Sequence, residues 1–159
     1  MNTRTHIILL SACVLALAIT CLLSIGAPLR FEQERAQREQ VVKQRLLRIR
    51  DAEQAYLQRN GTYTASLDKL TEQGLLPRQL HTIPFSGGQR FVLSASTQTS
   101  RTGKALPLVE CAAPYSAYLK GMDASAIQEL TRQANATGLF PGLKFGSMDT
   151  PGCTSGNWE

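Results

Sequence analysis

Three patterns of apolar and polar positions follow one another along this chain. Between Ile7 and Ala27 no residue is charged, and most positions are Ile, Leu, Val or Ala. At about 1.5 Å per residue that run makes a helix of roughly 31 Å, the thickness of a bilayer's hydrocarbon core. It predicts a transmembrane helix over 7–27, with residues 1–6 as a short flank and Pro28, just past Gly26, as the stop. A cleaved secretory signal would have a shorter apolar core and a small-residue cleavage site, and Ala27-Pro28 makes a poor one. Leu10-Ser11-Ala12-Cys13 resembles the lipobox that precedes an acylated cysteine. However, Val14 to Leu23 continues as apolar where a lipoprotein turns polar.

The second pattern has helical spacing. Phe31 to Arg59 holds no Gly or Pro, and Val42, Leu46, Ile49, Glu53 and Tyr56 recur at intervals of four, three, four and three. One long stalk helix over 28–60 is expected. Its first part, Glu32 to Gln40, is almost wholly polar and should project as a solvated stalk, with Val41 onward docking on the head. Val42, Leu46, Ile49 and Tyr56 are the candidate helix interface. Asn60-Gly61 should close the helix, since either residue takes the left-handed conformation readily. A short second helix through Leu67 and Leu70, capped by Ser66 or Thr64, should follow and end at Gly74.

The third pattern has period two. Phe91, Leu93 and Ala95 alternate with Val92, Ser94 and Ser96, as a half-buried strand requires. A polar turn over Ser100–Lys104 then leads into a returning strand, Ala105 to Cys111. Pro107 is tolerable there only at an edge or bulge. Asp123 or Ser125 should cap a helix through Ile127 and Leu130 to Ala136, and Leu143 to Met148 is a candidate final strand. The polar tail Asp149–Glu159 should fray unless Cys153 pairs with Cys111 or Trp158 docks. The fold class is thus α+β: a transmembrane helix continuing into a stalk helix, packed on a small antiparallel sheet with one further helix. The head spans 61–159.

Charge changes little in this picture. The net charge is +5, and eight of the Lys and Arg residues lie between Arg30 and Arg59. They interleave with Glu32, Glu34, Glu39, Asp51 and Glu53, which marks a solvated helix face rather than a nucleic-acid surface. Basic residues counted around the span place the head in the cytoplasm, but long domains translocate largely regardless of that count. Cys111 and Cys153, the two cysteines of the head, are a candidate disulfide and point to an oxidising compartment. The head is therefore expected in the periplasm.

No catalytic chemistry is legible, and the chain is expected not to be an enzyme. No Cys, His or carboxylate cluster has metal-ligand spacing, so neither metal nor cofactor is expected. His6 and His81 read as solvated surface groups. Ser86-Gly87-Gly88 lacks the Lys-Ser/Thr sequel of a phosphate loop and reads as a plain turn. Tyr56, Tyr63, Tyr115 and Tyr118 read as core and rim residues.

Two stretches carry a resemblance. Ile49-Arg50-Asp51-Ala52-Glu53-Gln54-Ala55-Tyr56 leads to Asn60-Gly61-Thr62-Tyr63-Thr64-Ala65-Ser66-Leu67-Asp68-Lys69-Leu70, and then to Gly74-Leu75-Leu76-Pro77. This resembles the helix-to-loop junction of type IV pilins and type II secretion pseudopilins. Through Phe140-Pro141-Gly142-Leu143-Lys144 and Gly156-Asn157-Trp158-Glu159, the chain is also similar to small single-span bacterial envelope proteins. The prepilin leader, a Gly before the apolar helix and a Glu five residues into it, is not found at Ile7–Ala27. The resemblance implies a single-pass inner-membrane protein, a pilin-like or assembly-platform-like component of a secretion or pilus machine. Its partners would be the lipid bilayer and other envelope proteins, with self-association through the membrane and stalk helices. The alternative is a tethered periplasmic binding module or lipoprotein, presenting a site around Ser86-Gly87-Gly88 and the hairpin.

Overall fold

The computed structural model describes the backbone of residues 3–159 and the side chains of residues 6–21 and 29–159. Helix α1 runs from Thr3 to Asn60. It is followed by α2 (Leu67–Glu72), a 3-10 turn at Arg78–Leu80, β1 (Val92–Thr99) and β2 (Ala105–Pro114), then by α3 (Tyr115–Tyr118), α4 (Ala124–Ala136) and β3 (Gly142–Ser147). The fold class is α+β, as expected; α2 stands where the short second helix was expected, α4 is the further helix, and the head adds α3 and the 3-10 turn. The chain divides into two compact units, residues 1–36 and 37–159.

The stop expected at Gly26 and Pro28 does not occur, because α1 continues through both. Proline's fixed φ near −65° is a helical value, so its missing N–H and the crowding of the preceding turn by its ring are a cost to a long helix rather than an absolute stop. Among the described residues no helix is long and apolar enough to cross a membrane. The side chains of residues 22–27, within the expected span, lie outside those described, as do Met1 and Asn2 of the flank.

Within residues 37–159, the sheet has the order β1-β2-β3, antiparallel throughout. Leu93, Cys111 and Phe145 stand side by side across the three strands. Because paired residues share a face, they present one apolar row, with Ala95 and Val109 forming the next. The α1 stripe closes over this core: Val42, Leu46, Ile49 and Ala52 are buried with Leu70, Phe91, Val109, Tyr118 and Phe145. Docking begins earlier than Val41, however. The Arg38 guanidinium donates to the carbonyls of Tyr118 and Lys120, at 3.2 and 2.9 Å. A polar residue can dock in this way because chain ends and short helices offer unpaired carbonyls.

The loop chemistry follows the residues that were read for it. Gly61 takes φ +75° and ends α1, with its N–H on the Leu57 carbonyl. Ser66 caps α2 by accepting from Lys69 N, and Asp123 caps α4 by accepting from Ser125 N and Ala126 N. Pro107 lies in the central strand, yet β3 pairs only with Val109–Pro114. At Pro107 the strand is therefore locally an edge, where a missing N–H costs no ladder bond.

The tail does not fray, although no disulfide holds it. Asn157 N donates to the Lys144 carbonyl, and Gly146 N donates to the Ser155 carbonyl. The Asn157 side chain both donates to the Gly142 carbonyl and accepts from Lys144 N, at 2.9 and 3.1 Å. Trp158 packs partly buried against the core. The tail thus covers the outer edge of β3.

Candidate functional site

The residues singled out from the sequence are put to other uses. Val42, Leu46 and Ile49 are fully enclosed by the chain's own core, and Tyr56 packs against it. Val42, Leu46 and Ile49 therefore offer no free surface to another protein, because the head they were expected to dock on encloses them. Cys111 and Cys153 are both free thiols. Cys111 is wholly buried in the sheet, where burial pushes its thiol up, and Cys153 is in the tail.

What remains of α1 for contact with other molecules lies in two places, one in each unit. In residues 1–36, every described side chain from His6 to Cys21 is exposed. Ile7, Ile8, Leu9, Leu10, Val14, Leu15, Leu17 and Ile19 are each between 49% and 69% exposed. At 100° per residue these positions surround the helix rather than forming one face. In residues 37–159, a groove of about 650 Å³ separates α1 from the Leu75–Leu80 segment. Val41, Leu47, Leu75 and Leu80 line it, with Gln44 and Arg48 at the rim. Arg45 fixes its far wall by donating to the Thr82 carbonyl at 2.6 Å.

Two polar clusters are buried within residues 37–159. Glu53 stands on the apolar stripe of α1, 1% exposed. Its Oε2 accepts from Thr64 N at 3.0 Å, and its Oε1 has no hydrogen-bond partner. Burial raises its carboxyl from 4.5 to about 7, with the Thr64 amide pulling the other way. A nearby Glu53 charge also helps raise the Tyr63 hydroxyl and the Cys111 thiol. The sequence reading placed Glu53 on the stripe without assigning it a partner. Its register on a face otherwise apolar was the available signal.

The second cluster corrects the reading of His81, which is not a solvated surface group but 2% exposed. The Arg90 guanidinium donates to Nδ1 at 2.9 Å, which makes Nδ1 an acceptor and places the ring proton on Nε2. Nε2 then donates to Thr71 Oγ1 at 2.7 Å, and the Thr71 hydroxyl donates to the Leu76 carbonyl at 2.8 Å. The same Arg90 Nη2 also donates to Asp68 Oδ1 at 2.9 Å, which brings that carboxylate to 3.6 Å from His81 Nδ1. Burial, aided by the Arg90 charge, lowers the His81 pKa, so the ring is neutral in the fold. These partners come from α2 and from the turn before β1, and no short-range pattern brings them together.

Ser86-Gly87-Gly88 is a closed turn. Ser86 Oγ donates to the Ile83 carbonyl at 2.7 Å and accepts from Gln89 N at 2.9 Å. Among the described residues no group of His, Cys, Asp or Glu could hold a metal ion. No family model, curated protein or solved structure matches the chain.

Proposed function

We propose that this chain is a non-enzymatic, membrane-anchored envelope protein, a pilin-like or platform-like component of a secretion or pilus-type assembly. One observation carries this reading: the apolar residues from Ile7 to Ile19 surround α1 and are exposed on every side. Left in water, eight such side chains forgo on the order of ten to twenty kcal/mol of burial. A single protein partner would cover one stripe of such a helix, whereas lipid covers all of it. A spanning helix also satisfies its own backbone.

The pilin-like part of the proposal rests on the junction at Ile49–Pro77 and on the helix packed against an antiparallel sheet within residues 37–159. With Val42, Leu46 and Ile49 consumed by the core, contacts between the stalk and other envelope proteins fall to the Val41–Leu47 side of α1. The periplasmic head is part of the same proposal and rests on the pilin-like junction alone, since Cys111 and Cys153 are free thiols.

Carbonate extraction of membranes tests the anchor. The wild-type chain should stay in the pellet and the Val14→Arg/Leu15→Arg variant should be released; a wild-type chain that is monodisperse in buffer without detergent overturns the anchor. An alkaline phosphatase fusion after Glu159 should be active, and an inactive one would put the head in the cytoplasm. A photocrosslinker at Gln44 should capture another envelope protein, whereas one at Val42 should not. Equal or absent capture at both positions counts against an assembly role.

A further inference from the structure

The two edges of the sheet are treated differently. The β3 edge is covered by the chain's own tail, through the Gly146–Ser155 and Asn157–Lys144 hydrogen bonds. Strand β1 is the other edge, and it is left open. Alternate residues of an antiparallel strand turn their N–H and C=O to opposite sides, so about half of those in β1 face away from β2. Among the described residues, apart from the β2 ladder, no hydrogen bond reaches the backbone of Val92–Thr99. The hairpin that flanks its start ends at Phe91, whose N–H goes to the His81 carbonyl.

Natural sheets blunt such an edge with lysine, proline, a bulge or a very short strand. The eight residues of β1, Val-Leu-Ser-Ala-Ser-Thr-Gln-Thr, include none of these devices. A slot of about 320 Å³ runs beside the first half of the strand, between Ala65–Asp68 and Arg90–Leu93. From Arg90 to Lys104 the chain carries Arg90, Arg101 and Lys104 and no acidic residue. Asp68 neutralises Arg90. Arg101 and Lys104 are exposed and make no ion pair among the described residues.

We infer that β1 is a docking edge for an extended segment of another protein, one with an uncharged β-prone centre and acidic ends. The segment adds a fourth strand. Its backbone pairs with Val92–Thr99, and its acidic end meets Arg101 and Lys104 at the turn. Main-chain hydrogen bonds supply the affinity in this mode, and the flanking charges set the choice of partner. A second copy of this chain fits poorly. Its own Arg90–Lys104 stretch carries no acidic residue, so it brings nothing to meet Arg101 and Lys104.

The test uses the full chain in detergent micelles. The probe is an acetylated, amidated peptide of alternating Val and Thr with Glu at each end, followed by fluorescence anisotropy and amide hydrogen exchange. Binding should saturate below about 1 mM, with new protection confined to residues 92–99. A Lys-ended peptide should bind at least about tenfold more weakly, a difference of about 1.4 kcal/mol. A peptide N-methylated at alternate central residues should not bind. Arg101→Glu/Lys104→Glu, on an exposed turn, should reverse the preference between the two peptides. The inference is overturned by equal binding of both peptides, by no saturation, or by protection at residues 142–147 with release of the tail. Protection of residues 92–99 that grows with protein concentration alone would assign the edge to a second copy and overturn it as well.

Discussion

Thr64 donates its backbone N–H to Glu53 Oε2 across 3.0 Å, in a place where neither group reaches water. This bond ties the last turns of α1 to the loop that follows Gly61, so the exit of the chain from the helix is set by a buried carboxyl. Only one of its two oxygens is satisfied, and that asymmetry makes the site sensitive to protonation.

Because burial raises the folded carboxyl from the ordinary 4.5 to about 7, the fold favours the protonated form. Stability from this group is fully present below about pH 4.5 and is lost as pH rises through about 7, an effect of about 3 kcal/mol. Glu53→Gln keeps an acceptor for Thr64 and carries no titrating charge. Chemical denaturation between pH 4.5 and 8 should show this fall in the wild type and lack it in the variant.

His81 has the opposite sign. Its folded pKa lies below 6.5, so the stability it contributes is present above pH 6.5 and is lost as pH falls toward the folded value. With the Glu53 slope removed, the Glu53→Gln chain should gain stability as pH rises toward 6.5 and level off above it. Adding His81→Ala should abolish that rise and cost about 2–4 kcal/mol at pH 7.5, from the cavity and the stranded Thr71 and Arg90 partners. Imidazole nitrogen shifts measured by NMR should show a neutral ring protonated on Nε2.

Gly146 is required by both backbone and space. Its φ is +78°, and a Cβ there would collide with the Val109 carbonyl across the β2–β3 ladder. Gly146→Ala should cost about 2–4 kcal/mol. Gly152, at φ +75° with open space around it, isolates the backbone contribution, and Gly152→Ala should cost only about 1–2 kcal/mol. Thermal melts of the two variants separate the collision from the conformational strain.

Asn157 fastens the tail with its side chain, through Gly142 and Lys144. Asn157→Ala should cost about 1–2 kcal/mol and speed amide exchange at Lys144 and Gly146, while exchange at Leu93 is unchanged. Faster exchange across the whole sheet would mean that the tail is part of the core rather than a cover on its edge.

Much of the head was legible because its signals are local. Asn60-Gly61, Ser66 and Asp123 act through the backbone within a few residues, and the alternation from Phe91 names the face of its own strand. The buried clusters were not legible. His81 meets Arg90 and Thr71 only after α2 and the turn before β1 have folded together, and a lone histidine in a loop reads as solvated until then. The orphan oxygen of Glu53 is hidden for the same reason, since its register shows where it points but not what it lacks.

The sequence by itself determined the long helix, the apolar run at its start, the stripe from Val42 to Tyr56, the hairpin and the capping residues. Each depends on spacing or on a residue's own backbone preference. Tertiary structure alone decided that Glu53 and His81 would be enclosed with the partners they have. It also decided that the tail would cover β3 while β1 stays open, and that Cys111 would be sealed away from Cys153. Those outcomes depend on which surfaces meet, and burial belongs to pairs of surfaces rather than to any one segment.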